Sequence, residues 1–313
     1  MLTIHTWITG VGIRETDTLG DGVWANLSEP TPGELTLLTQ TFHLPSTFLT
    51  DPLDKDERAR VEIDDDTDAT LIVLRVPCHD PSPETIPYNT VPFGIVIAPK
   101  SVITVCARRT ALTTEFTDHM RRVCPPSARH RFTFQLMVYA AILYLRNLRE
   151  ISERIDALEK SLYKSMRNEA LIDLLDLQKS LVYFTTSLTA NQIMVGRLAH
   201  MRQLGINEDD LDYLEDADIE FRQAQEMATI HGNILASMMD AYSSVISNNL
   251  NRVMKFLTSV TIVLALPTMV ASLYGMNVSL PLQHHEHAFA ILLVIALGLS
   301  LLTALLFVRR KLF

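Results

Sequence analysis

The alternation of apolar and polar positions divides the chain into three regimes. In the first 125 or so residues, short β-branched runs are bounded by Pro, Gly and Asp. The runs at 2–9, 69–76, 91–98 and 102–106 read as strands, and Pro99-Lys100-Ser101 reads as a hairpin turn between the last two. Thr31-Pro32-Gly33-Glu34 has the composition of a helix start. The Thr hydroxyl can cap, Pro suits the first helical position, and Glu can reach back to the cap amide. Leu35, Leu38 and Phe42 then give that helix an apolar face. The expected result is an α/β layer domain over 1–126, with helices covering a small mixed sheet.

Cys124-Pro125-Pro126 breaks the chain, and the strand signals stop there. Residues 132–164 and 169–204 carry apolar side chains at spacings of three and four, as in Leu148, Ile151, Ile155, Leu158 and Leu162. This predicts an antiparallel helical pair within 127–206, ended by Gly205. Asn207 can cap a third helix whose first turn carries Glu208, Asp209 and Asp210, where the helix dipole favours acids. No Pro follows until Pro267, so a single helix is predicted over 208–273, roughly 100 Å long at the helical rise.

The third regime is two apolar stretches, 256–273 and 288–308. Each is long enough to cross a bilayer core of about 30 Å. The order along the chain is then a stalk helix with the first span (207–274), a loop (275–287), a second span (288–308) and a basic tail (309–313). The loop has no Lys or Arg and one acid, Glu286, whereas Arg252 and Lys255 precede the first span and Arg309, Arg310 and Lys311 follow the second. By the positive-inside rule the loop faces outward and both chain ends lie in the cytoplasm, in a multi-pass protein of the cell membrane. The opening residues alternate like a strand and do not form a charged n-region followed by an apolar h-region. The polar part is therefore expected to stay inside.

A seven-residue repeat runs along the long helix. Alternate steps of four and three from Asp240 reach Ser244, Ser247, Asn251, Met254, Thr258, Thr261, Ala265, Thr268 and Ser272, and all but Met254 are polar or small. Of the polar side chains in 256–273, Thr258, Thr261, Thr268 and Ser272 lie on this stripe and Ser259 does not. Such a repeat turns one face toward neighbouring helices. One reading is close helix packing through small residues, and the other is the wall of a water-filled channel. Asp240 and Asn251 favour the second, because they would continue a polar lumen upstream of the membrane. A single helix cannot enclose a pore, so several copies must surround an axis. Pro267 removes one backbone hydrogen bond and leaves the Val263 carbonyl without its amide, which predicts a kink. Neighbouring helices or hydroxyls usually compensate such a loss.

Formal net charge is −9, and the basic residues are scattered without aromatic interleaving, which argues against nucleic acid and suits cations. Cys78, Cys106 and Cys124 form no C-x-x-C pair and read as reduced thiols without a role. His5, His43, His79, Asp64, Asp65 and Asp66 are candidates for catalysis by residue type alone. No nucleophile elbow or metal-ligand spacing joins them, so an enzyme is not expected and solvated turns are.

Tyr274-Gly275-Met276-Asn277 after a first C-terminal span, the second span and basic tail, the long preceding helix and Ser180-Leu181-Val182-Tyr183-Phe184 together resemble the CorA family of divalent-cation channels, whose signature is Gly-Met-Asn. The resemblance implies an α+β subunit, with a cytoplasmic αβα domain, a funnel of long helices and two C-terminal transmembrane helices. It further implies a homopentamer and passive, potential-driven entry of Mg2+, with Co2+ and Ni2+ as further candidates. Mg2+ gives up its water reluctantly, so a ring of Asn277 amides could recognise the hydrated ion without the grip of carboxylates. Gly275 would let the backbone approach closely or leave the helix at the mouth.

The resemblance also implies regulatory Mg2+ sites between subunits, for which Asp80 and Asp216 occupy similar places. Asp209, Asp210, Asp212, Glu215 and Asp218 surround the second, and a merely solvated acidic helix start competes with that role. The loop departs from the family pattern of Pro-Glu after the signature. Pro281-Leu282-Gln283-His284-His285-Glu286-His287 stands there; adjacent His point apart, so solvated turn residues are expected, and the three His and one Glu leave a Zn2+ or other transition-metal transporter as the alternative. A second alternative is a membrane-anchored scaffold or sensor that assembles without conducting.

Overall fold

The structure is a computed structural model that describes residues 1–79, 86–120, 124–164, 168–281 and 285–310. The chain forms two compact units, Met1–Ala236 and Ser237–Phe313. The first is built on a seven-stranded mixed sheet. Its strands are β1 (Leu2–Ile8), β2 (Gly12–Thr16), β3 (Trp24–Ser28), β4 (Arg60–Asp64), β5 (Ala69–His79), β6 (Tyr88–Ile97) and β7 (Val102–Cys106), in the order β2-β1-β3-β7-β6-β5-β4. β3 and β7 pair in parallel and the other neighbours are antiparallel. The expected hairpin joins β6 and β7, closed by the Ala98 amide donating to the Ser101 carbonyl at 2.9 Å.

Strand alternation sends side chains to two helical layers. Ala25, Leu27, Leu71, Val73, Val96, Ile103 and Val105 face α1 (Pro32–Phe42) and α2 (Ser46–Thr50), where Leu38, Phe48 and Leu49 complete a buried core. On the other face Trp24 meets Phe116 of α3 (Ala111–Met120) and Phe132 of α4 (Arg129–Lys164), with ring centroids 5.8 and 5.4 Å apart. The expected αβα layering is therefore present. The α1 start is a complete capping box: the Glu34 amide donates to the Thr31 hydroxyl, and the Thr31 amide donates to the Glu34 carboxylate at 2.8 Å.

Three strands have no counterpart in the sequence reading. β3, Trp-Ala-Asn-Leu-Ser, has no β-branched residue, yet it is buried throughout because it lies between β1 and β7. Its polar groups are paired internally: Trp24 Nε1 donates to Thr104 Oγ1 at 2.9 Å, and Thr104 Oγ1 donates to Asn26 Oδ1 at 3.0 Å. β2 and β4 are the two edges, where charged residues replace the apolar run that the search relies on.

α5 (Asn168–Ala199) packs on β5 and β6 through a partly polar face. The Ser180 hydroxyl accepts from the Tyr88 amide at 3.3 Å, Ser187 shares a 2.7 Å bond with the Thr90 hydroxyl, and Phe184 meets Tyr144 edge-on. Asn191 does more. The β4 register stops at Arg60 opposite Val73, so the Arg75 backbone beyond it has no strand partner on that side. The Asn191 carboxamide takes both groups, accepting from the Arg75 amide and donating to its carbonyl, each at 2.8 Å. The predicted second helix of the pair is shorter than its 169–204 expectation. The amides of His200 and Met201 bond carbonyls three residues back, which tightens the end into a 3-10 turn at Arg202–Leu204 before Gly205, φ +57.

α6 is one helix of 67 residues, Glu208–Tyr274, and α7 spans Ala288–Arg309. The second unit consists of α6 from Ser237 onward, the following loop and α7. Both helices have a segment long and apolar enough to cross a membrane, and only 6% of each segment is buried. The core helix of a soluble domain would be mostly buried, so burial of that kind does not explain their composition.

Candidate functional site

Every stripe residue of α6 is exposed in this chain: Asp240, Ser244, Ser247, Asn251, Met254, Thr258, Thr261, Ala265, Thr268 and Ser272. Covered or partly covered positions of the same helix are Ser259, Val260, Val263, Leu266, Pro267, Val270 and Tyr274. At about 100° per residue the two sets are centred roughly half a turn apart. Ser259, the hydroxyl off the stripe, is 4% exposed, and Ala296 on α7 is 7% exposed. The small and hydroxylated stripe therefore does not serve the packing of α6 against its own α7.

The hydroxyls also have a fixed polarity. Ser244 Oγ donates to the Asp240 carbonyl at 3.0 Å, Thr261 Oγ1 to Leu257 at 2.8 Å, and Thr268 Oγ1 to Ala265 at 2.7 Å. Each spends its one proton on its own helix, which leaves oxygen lone pairs for whatever meets this face. Metal-bound water is a hydrogen-bond donor, and an acceptor surface suits it.

α6 ends in the signature segment. The Gly275 amide donates to the Ala271 carbonyl at 2.9 Å and the Met276 amide to Leu273 at 3.4 Å. Gly275 is not among the glycines of positive φ, so the segment does not use the left-handed freedom of glycine. A Cβ there would lie 3.3 Å from the Ala271 carbonyl oxygen, which is a tight approach to backbone. Met276 and Asn277 beyond it are exposed.

The Val263 carbonyl, deprived of its amide by Pro267, accepts from Ser300 Oγ of α7 at 3.2 Å. Ser300 escaped the sequence reading. The available signal was a serine in one span whose neighbour contains a proline.

At the start of α6, Asp209, Asp212 and Asp216 line a cavity of about 430 Å³ with Arg131 and Tyr213. Arg131 Nε bonds Asp210 Oδ1 at 2.8 Å, and its guanidinium lies 5.4 Å from the Tyr213 ring centroid. Asp218 pairs with Arg222. Asp80 lies outside the described residues, so no Asp80–Asp216 geometry is seen. His284 lies outside them too, as does the tail beyond Arg310. His285 Nδ1 accepts from the His287 amide at 3.2 Å, which occupies one of its ring nitrogens. Among the described residues no group of three His, Cys, Asp or Glu is arranged to hold a metal ion.

Of the residues considered for catalysis, His5, His43 and Asp64 have local structural tasks. His5 stacks on Trp24 at 4.7 Å, and burial lowers its pKa. His43 is the left-handed C-cap of α1, and Asp64 accepts from the Thr67 amide at 3.0 Å in the turn before β5. Burial pushes the Cys106 and Cys124 thiols up to about 11.

A folded α/β unit followed by two membrane-length helices, one with a polar face turned from the other, has the architecture of a membrane-anchored protein. The family model described as CorA-like Mg2+ transporter protein matches residues 20–310, and the chain belongs to that family, whose members are transporters and not enzymes. A relative, the cobalt/magnesium transport protein CorA of Methanocaldococcus jannaschii, is 27% identical over 294 residues, covering 92% of this chain and 90% of its own. The complete structure of the CorA magnesium transporter from that organism superposes with a TM-score of 0.86 at 24% identity, over 99% of this chain and 98% of the other. The full-length CmaX protein superposes at 0.73 with 19% identity, covering 99% of this chain and 97% of its own.

Proposed function

We propose that copies of this chain surround a common axis with the α6 stripe inward and form a channel for passive entry of Mg2+. The observation that carries this reading is the exposed hydroxyl stripe, set half a turn from the face that holds α7. In a lone subunit it would face acyl chains, and in a ring it faces water. Five subunits, the count implied by the family resemblance, place five Asn277 carboxamides at the outer mouth, where their oxygens bind the water shell of the ion. Weak outer-sphere binding permits release. The linker and Asn277 then face outward and both chain ends inward, and the domain boundaries drawn from the sequence follow that topology. A doubly charged ion gains about 4.6 kcal/mol per 100 mV on crossing inward, twice the single-charge value, so no other energy source is required.

Gating is assigned to cytoplasmic Mg2+ at Asp216 and Asp80. The exposed acids beside Asp216 support this reading, since a cavity shared by Asp209, Asp212 and Asp216 concentrates cations. The test is ion flux into proteoliposomes, with Mg2+, Co2+, Ni2+ and Zn2+ compared. Asn277→Leu should lower Mg2+ flux at least tenfold, and unaltered flux would overturn the channel reading. Zn2+ flux exceeding that of Mg2+ would establish the transition-metal alternative, and absence of flux for every ion would establish a non-conducting assembly.

A further inference from the structure

We infer that Ser300 is a positioning residue that supplies, from α7, the hydrogen bond Pro267 denies to α6. Three observations on one spot carry this. Pro267 has no amide hydrogen, so the Val263 carbonyl has lost its helical partner. Ser300 Oγ lies 3.2 Å from that carbonyl oxygen, across the interface between the two membrane helices. The same oxygen lies 3.1 Å from the Ala296 carbonyl of its own helix.

A hydroxyl has one proton, so these two bonds compete. The competition is unequal. The Ala296 carbonyl is the acceptor of the Ser300 backbone amide in a regular helix and needs nothing further. The Val263 carbonyl has no amide, and in hydrocarbon no water replaces it. The proton therefore belongs on Val263, where it joins α7 to α6 at the turn before Pro267. Just after Pro267, Thr268 Oγ1 lies 2.7 Å from the Ala265 carbonyl and 3.4 Å from that of Leu264. Hydroxyls on both sides thus hold the loosened turn, one from the neighbouring helix and one from the stripe. Release of Ser300 to Ala296 would free the Val263 carbonyl without breaking any backbone bond of α7, which makes the contact reversible.

This role rests on the proposed pathway only where flux is read, so the experiment has two separate readouts. With valine carbonyls labelled with carbon-13 and leucine amides with nitrogen-15, the Val-Leu pairs reported are Val73-Leu74 and Val263-Leu264. In the full chain in bilayers, Ser300→Ala should displace the Val263 carbonyl resonance and leave Val73 in place. Ser300→Thr should leave both, and Ser300→Cys, a weaker donor, should displace Val263 by less. In a Pro267→Ala background the amide is restored, and Ser300→Ala should then displace nothing. Mg2+ flux should change by about threefold on Ser300→Ala with Pro267 present, the size of an average interhelical hydrogen bond in a membrane, and should be unaffected in the Pro267→Ala background. A Val263 resonance that ignores Ser300→Ala, or one displaced equally in both backgrounds, overturns the inference. Displacement with unchanged flux upholds the bond and overturns its link to transport.

Discussion

Thr31 and Glu34 show how much a short segment can specify. The four letters Thr-Pro-Gly-Glu predicted a capping box, and each hydrogen bond of it is made. The Thr31 amide is the main cause that lowers the Glu34 pKa from 4.5 to about 2, aided by the Leu2 amide and opposed by partial burial. A depressed carboxyl pKa stabilises the fold above its unfolded value, and that contribution disappears as pH falls from about 4.5 through about 2. Glu34→Gln should lower the melting temperature at neutral pH by the equivalent of about 1 kcal/mol, with the deficit closing as melts are repeated toward pH 2. Gly94 is the opposite case. A Cβ on it would come 2.5 Å from Pro52 Cγ and 2.8 Å from Val105 Cγ1, so Gly94→Ala should cost about 1–3 kcal/mol in an unfolding titration. Nothing near Gly94 in sequence announces this, because the obstacle is a proline in a distant turn.

At the scale of elements, legibility followed the length of the periodic signal. α6 was readable almost to its last residue, since 67 residues without an early proline leave little else to form. β3 was not, because tertiary position between two strands replaced intrinsic preference. The polar face of α5 was also hidden. Ser180 and Phe184 belong to the segment that carried part of the family resemblance, yet their task, bonding and covering the end of β6, becomes visible only once the sheet is in place. Asn191 acts there as a substitute for a missing strand. Asn191→Ala would leave the Arg75 amide unpaired under a helix, its carbonyl still accepting from the Tyr144 hydroxyl, and should destabilise the folded chain by about 1–3 kcal/mol in denaturant, whereas Val182→Ala on the exposed side of α5 should be nearly neutral.

For the molecule as a whole, the sequence carried the stripe and the spans but not what lay behind them. The heptad gave the polar positions, and the placement of α7 on the opposite side of α6 shows that they do not pack against the same chain's second span. In a background lacking Cys78, Thr261→Cys should react with a water-soluble thiol reagent in the assembled protein and Val263→Cys should not, because the buried native thiols are protonated and silent. Equal reactivity at both positions would place α6 elsewhere. At the acidic start of α6 the sequence names Asp216 without the cavity that it lines. Asp216→Ala should weaken the inhibition of flux by internal Mg2+, and unchanged inhibition would leave the acids as a solvated helix start.

The hydroxyls of the stripe have one more consequence. Their sign comes from protons committed to neighbouring carbonyls, and no ionisable group lies on the stripe between Asn251 and Ser272. In the proposed channel a lining made negative by dipoles cannot be neutralised by acid, so discrimination against chloride within the bilayer should persist unchanged from about pH 5 to about pH 9.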